Sequence, residues 1–97
     1  MSDTVERQFT IRSELGLHAR PAGEFVVMAG HFESEISVGG GREWVDGRSV
    51  LSLLSLAAGR GTELHIRAIG ADAEAAVTAL GALLERSHAE IESAKAG

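Results

Sequence analysis

Gly16-Leu17-His18-Ala19-Arg20-Pro21-Ala22 places an imidazole, a guanidinium and a proline within four residues. Pro21 is tolerable only in the first turn of a helix, where its missing N–H had no intrahelical acceptor. A helix therefore starts at about His18 or Ala19, and His18 stands at its mouth. Helix N-termini carry unpaired amides and the positive end of the macrodipole, which favours anions. The planar fork of Arg20 can grip two phosphate oxygens at once. Neutral histidine has a nucleophilic ring nitrogen near pH 7, so a phosphoryl group on His18 would be well received. A small open loop would let large partners present and remove that group in line. The spacing alone leaves a second reading open, in which His18 only caps the helix and Arg20 is solvated.

Other residues with chemical potential read as structural. His31, His65 and His88 have no short ligand spacing to one another or to His18, so no metal site is expected. Trp44 reads as hairpin or core packing, and Gly39-Gly40-Gly41 as a turn, since it lacks the Lys-Ser/Thr of a phosphate loop. Ser49 is well placed as a helix N-cap.

The elements that must hold these residues follow from periodicity. Val5, Phe9 and Ile11 alternate with polar neighbours over residues 5 to 12, the pattern of a half-buried strand. Ala22, Phe25, Val26 and Ala29 recur at helical spacing, with Gly30 as a stop. Ile36 and Val38, then Trp44 and Val45, make a hairpin across the glycines. Asp46-Gly47-Arg48-Ser49 forms a loop, and a short second helix is expected from Val50 to about Ala58 with its exit at Gly59 or Gly61. Leu64, Ile66 and Ala68 alternate in a fourth strand, and Ala73, Ala76, Val77, Leu80, Leu83, Leu84 and Ile91 trace one face of a long last helix. This βαββαβα order most simply builds an α+β open-faced sandwich: a four-stranded, mainly antiparallel sheet with three helices on one face.

In the second helix, Val50, Leu51, Leu53, Leu54 and Leu56 exceed what one buried stripe can use. Leu53 and Leu56 form a candidate inward face, leaving Val50, Leu51 and Leu54 as a cluster on the other side.

Composition narrows the class. The 97 residues suit one domain, and residues 1–97 are read as one. The absence of cysteine excludes disulfides, thiolate metal sites and a cysteine nucleophile, and it points to a cytoplasmic setting. Nine basic against fourteen acidic residues, a net charge of −5, oppose general affinity for nucleic acid or anionic membrane. No run reaches the ~20 apolar residues a membrane span needs, and the N-terminal residues lack a secretory pattern, so the chain is expected to begin at Met1.

Two segments carry a resemblance. GLHARPAGEF, residues 16–25, closely resembles the active-site loop of the HPr family, the histidine-containing phosphocarrier proteins of the bacterial phosphotransferase system. VDGRSVLSLLSLAAGRGTEL, residues 45–64, resembles that family's second signature, around its regulatory serine and short second helix. The resemblance runs in one register over residues 5 to 90, and the element order is similar to the family's fold.

The resemblance implies a stoichiometric phosphocarrier rather than an enzyme, with no cofactor. His18 would be phosphorylated on Nδ1 by enzyme I, with Arg20 neutralising the phosphate. Enzyme II A components would receive the phosphoryl group in phosphoenolpyruvate-dependent sugar uptake. Ser49 would be the serine modified by HPr kinase where that enzyme exists, its phosphate held by the helix N-terminus and Arg48. Val50, Leu51 and Leu54 would lie next to His18 and receive partner proteins. A monomer is expected, and the tail of residues 92–97 has no assigned role. Where the family commonly carries lysines, this chain has Glu24, Val27, Met28 and Ser52, and Gly47 stands for the more usual alanine. The rival readings are a regulatory carrier of a nitrogen-type phosphotransferase branch and a ligand-binding α+β module without covalent chemistry.

Overall fold

A computed structural model of the chain describes residues 3–40 and 42–86. Seven elements follow in order: β1 (Thr4–Thr10), α1 (Ala19–Ala29), β2 (Glu35–Gly39), β3 (Trp44–Asp46), α2 (Val50–Ser55), β4 (Glu63–Ile69) and α3 (Ala73–Leu84). The strands lie in the order β1-β4-β2-β3 with every pairing antiparallel. Helices cover one face, giving the open-faced sandwich expected from the pattern.

Register explains which side chains face the helices. Phe9 sits opposite Leu64, Val5 opposite Ala68, and Ile36 and Val38 opposite Ala68 and Ile66. These rows meet Phe25, Leu53, Val77 and Leu80 in one apolar core. Arg7 is on the same side, opposite Ile66, yet stays at the margin by reaching Glu74 and Thr78 of α3. On the face without helices, Arg67 lies 4.1 Å over the Trp44 ring and also donates to Glu6 at 3.2 Å. The His65 ring meets Trp44 edge-on at 6.3 Å. Trp44 thus packs across the hairpin surface rather than in the core.

Three boundaries differ from the sequence reading. β1 ends at Thr10, although Ile11 stays buried and exchanges backbone bonds with the 61–62 turn, accepting from Gly61 at 2.8 Å and donating to Thr62 at 2.9 Å. The second helix ends at Ser55 with Leu56 as its cap, three residues short of Ala58 and without waiting for a glycine. The chain leaves it through Ala57 at φ 51°, and Ala58 then turns inward to the core. α3 closes at Leu84, capped by Glu85, while Ile91, His88 and the tail of residues 92–97 lie outside the described residues.

Asp72, the N-cap of α3, makes no cap bond with its side chain. Its carboxylate instead accepts from the Ser34 hydroxyl at 2.5 Å, the Ser34 amide at 3.0 Å and the Glu33 amide at 2.9 Å. This joins the start of α3 to the turn entering β2. Gly70 makes room for it, because a Cβ there would lie 2.8 Å from Ser34 Cα.

Candidate functional site

His18 is the N-cap of α1, with extended backbone at φ −92° and ψ −170°. Its carbonyl accepts from the Ala22 amide at 3.0 Å and opens the helix, whereas its imidazole makes no capping hydrogen bond. The ring is therefore not spent on the helix, and the residue is half-buried. No acidic residue occupies the first turn of α1, so no carboxylate there competes with an incoming anion. Pro21, Ala22 and Phe25 are buried and anchor the first two turns to the core.

The loop in front of His18 is pinned on its other flank. The Gly16 amide donates to Ser13 at 2.9 Å, the His18 amide to Gly16 at 2.9 Å, and the Leu17 amide to Ala58 at 2.8 Å. Gly16 has φ 76°, and a Cβ on it would fall 2.4 Å from the Ala58 carbonyl oxygen and 2.7 Å from Gly59 Cα. Only glycine fits there, so the loop lies flush on the segment that follows α2. That segment joins the site to the second signature, a relation the spacing of the residues did not reveal.

Arg20, the second residue of α1, is exposed and borders a groove between α1 and the end of α3, lined also by Glu24, Val27, Met28 and Arg86. The Arg86 guanidinium stands 3.6 Å from Glu24 across it.

Ser49 caps α2 as expected: its hydroxyl accepts from the Ser52 amide at 3.1 Å and its carbonyl from Leu53 at 3.0 Å. It sits at the opposite end of this six-residue helix from the segment touching the His18 loop, ~9 Å along the axis at 1.5 Å per residue. The expectation that Arg48 would help hold a phosphate on Ser49 is corrected. Arg48 turns away, donating to the carbonyls of Phe32 at 2.6 Å and Ser34 at 3.0 Å. Both carbonyls lie in the connection between α1 and β2, and one guanidinium satisfies them together.

Along α2, Leu53 is fully buried and Leu56 packs against the core as its inward companion. Leu51 is 79% exposed, whereas Val50 and Leu54 are half-buried at the core margin. The apolar surplus thus emerges mainly at Leu51. Leu15 in the loop before His18 and Val27 on α1 are exposed as well; neither was singled out by periodicity, which marks buried faces and not exposed leftovers. His31 is exposed beyond α1, and among the described residues no group of three His, Cys, Asp or Glu is placed to hold a metal. No helix among them is long and apolar enough to cross a membrane.

Comparison with known proteins identifies relatives over most of the chain. The family model described as "PTS HPr component phosphorylation site" matches residues 5–86. The chain is similar to the phosphocarrier protein HPr of Pseudomonas aeruginosa, at 41% identity over 88% of this chain and 96% of the relative. The phosphocarrier protein NPr of Shewanella violacea is also 41% identical, over 84% of this chain and 89% of the relative. Among solved structures, the phosphocarrier HPr of Bacillus anthracis superposes with a TM-score of 0.80 at 34% identity, covering 84% of this chain and 98% of that one.

Proposed function

The chain belongs to the HPr family of phosphocarriers of the phosphotransferase system, and from that premise we propose that His18 is its phosphoryl acceptor and Arg20 the group that steadies the phosphate. The observation that carries this reading is an imidazole placed at the positive end of α1 and not used to cap it. In the transfer, Nδ1 of the neutral ring attacks the phosphorus held by phosphorylated enzyme I. The bond joining that phosphorus to its carrier atom on the donor breaks as the bond to His18 forms. Passing the group to an enzyme II A component reverses the roles and regenerates the free ring. The carrier supplies position and electrostatics, the partners the rest of the machinery, and it works in the cytoplasm.

The similarity to the Shewanella NPr supports a second reading as strongly as to the HPr relatives: a carrier whose phosphorylation state is the signal rather than a step in sugar uptake. Both use the same histidine.

Incubation with phosphoenolpyruvate and cognate enzyme I tests the assignment. The parent should take up acid-labile, base-stable phosphate, and His18→Ala should stay folded and take up none. Label persisting in that variant would sink it. Arg20→Lys should slow transfer ~10-fold or more, because a point charge replaces a bidentate contact worth ~1.5–3 kcal/mol.

A further inference from the structure

We infer that Ala57 is a positioning residue for His18, acting through the Ala58 carbonyl. The inference deepens the reading of His18 as phosphoryl acceptor and rests on it. Ala57 is the one non-glycine among the described residues with a positive φ, at 51°. A residue with a Cβ is disfavoured there, since the Cβ crowds the following carbonyl. No glycine relieves this at position 57, and the Ala57 side chain is exposed, so nothing it packs against compensates for the conformation.

The conformation has a single evident consequence. Ala57 still donates to Leu54 at 3.0 Å, closing α2, and the left-handed turn then swings the next peptide away from the helix axis. Ala58 enters the core, and its carbonyl points back at the loop before His18. There it accepts from the Leu17 amide at 2.8 Å, immediately before the acceptor histidine. Gly16 lies against the same carbonyl so closely that no side chain fits between them. On the other side, His18 is held by α1. The backbone of residue 18 is therefore held between a helix and a carbonyl whose direction depends on the backbone of residue 57. An in-line transfer is sensitive to displacements of about 1 Å in the attacking atom, so loosening this carbonyl costs rate more than binding.

Substitutions at 57 read backbone conformation with little change in packing, because the side chain is exposed. Ala57→Val, β-branched and poorly tolerant of positive φ, should lower the hydrogen-exchange protection of the Leu17 amide ~5-fold. It should also lower kcat for transfer from phosphorylated enzyme I several-fold, with KM changed less than about twofold. Ala57→Gly, at ease in that conformation, should raise Leu17 protection ~5-fold and transfer at least as fast as the parent. A merely structural role would lower the melting temperature of Ala57→Val and leave kcat of the folded protein unchanged. That result overturns the inference, as does Leu17 protection that is the same in all three proteins. Should Ala57→Val not fold, the amide in Ala57→Gly still decides, and protection equal to the parent's overturns it. A parent that takes no label on His18 would fail the reading of the acceptor instead, whatever the amides show.

Discussion

Ser49 holds the Ser52 amide at 3.1 Å, so Ser49→Ala removes a formed helix cap and should cost about 1 kcal/mol in denaturant unfolding while leaving phosphoryl transfer intact. Ser49→Asp should keep the fold and slow phosphate acceptance. A phosphate would add ~1.5–2 negative charges beside α2, on a chain already at −5, and the Arg48 guanidinium is turned to the carbonyls of Phe32 and Ser34. Equal initial rates of labelling by enzyme I in parent and Ser49→Asp would remove the inhibitory role. The places of His18 and Ser49 at helix starts were legible because their signals are local: Pro21 fixes where α1 can start, and a serine before an apolar run is a cap. Arg48 was not, because its partners lie 14 and 16 residues away in the turn between α1 and β2.

Between elements, the clamp of Asp72 on the 33–34 turn has its own tests. Hydrogen bonds from the Ser34 hydroxyl, then the Glu33 amide, hold the Asp72 carboxyl below its ordinary pKa despite some opposing desolvation. A group depressed on folding stabilises the protein above its unfolded value, ~3.9 for aspartate, and that stability is lost as pH falls through the lower folded value. Acid should therefore weaken the parent more steeply than Asp72→Asn below about pH 4, measured as the denaturant midpoint against pH; parallel curves would show that the clamp is not linked to protons. Gly70→Ala should destabilise by roughly 1–3 kcal/mol, because its Cβ would meet Ser34 Cα at 2.8 Å and Ser34 Oγ at 2.6 Å. An unchanged unfolding midpoint would contradict that crowding.

For the molecule as a whole, docking divides between charge and apolar contact. The neighbourhood of α1 and α2 carries Glu24, Val27, Met28 and Ser52, none of them basic, while Leu51 and Val27 are exposed at 79% and 67%. Association with enzyme I should then depend on apolar contact, and its rate should fall only modestly between low and physiological salt. Leu51→Asp should weaken enzyme I binding severely and leave thermal unfolding near the parent's, since this side chain contributes little to the core. Binding that collapses with added salt in the parent would place recognition on Arg20 and its charged neighbours instead.

What the sequence determined by itself is whatever short-range physics sets: the order of strands and helices from apolar period, the start of α1 from Pro21, the cap at Ser49, and a solvent-facing surplus on α2. The pairing order β1-β4-β2-β3 and the antiparallel register appear only when the strands share one core. The end of α2 is of the same kind. Local propensity would carry that helix to a glycine, but it stops at Ser55 because Ala58 is required both in the core and as acceptor for the Leu17 amide. The direction of Arg48, the clamp at Asp72 and the contact of Gly16 with Ala58 likewise join residues far apart in the chain. No window of neighbouring residues contains both partners of such a contact, so tertiary structure alone decides how the loop before His18 is held.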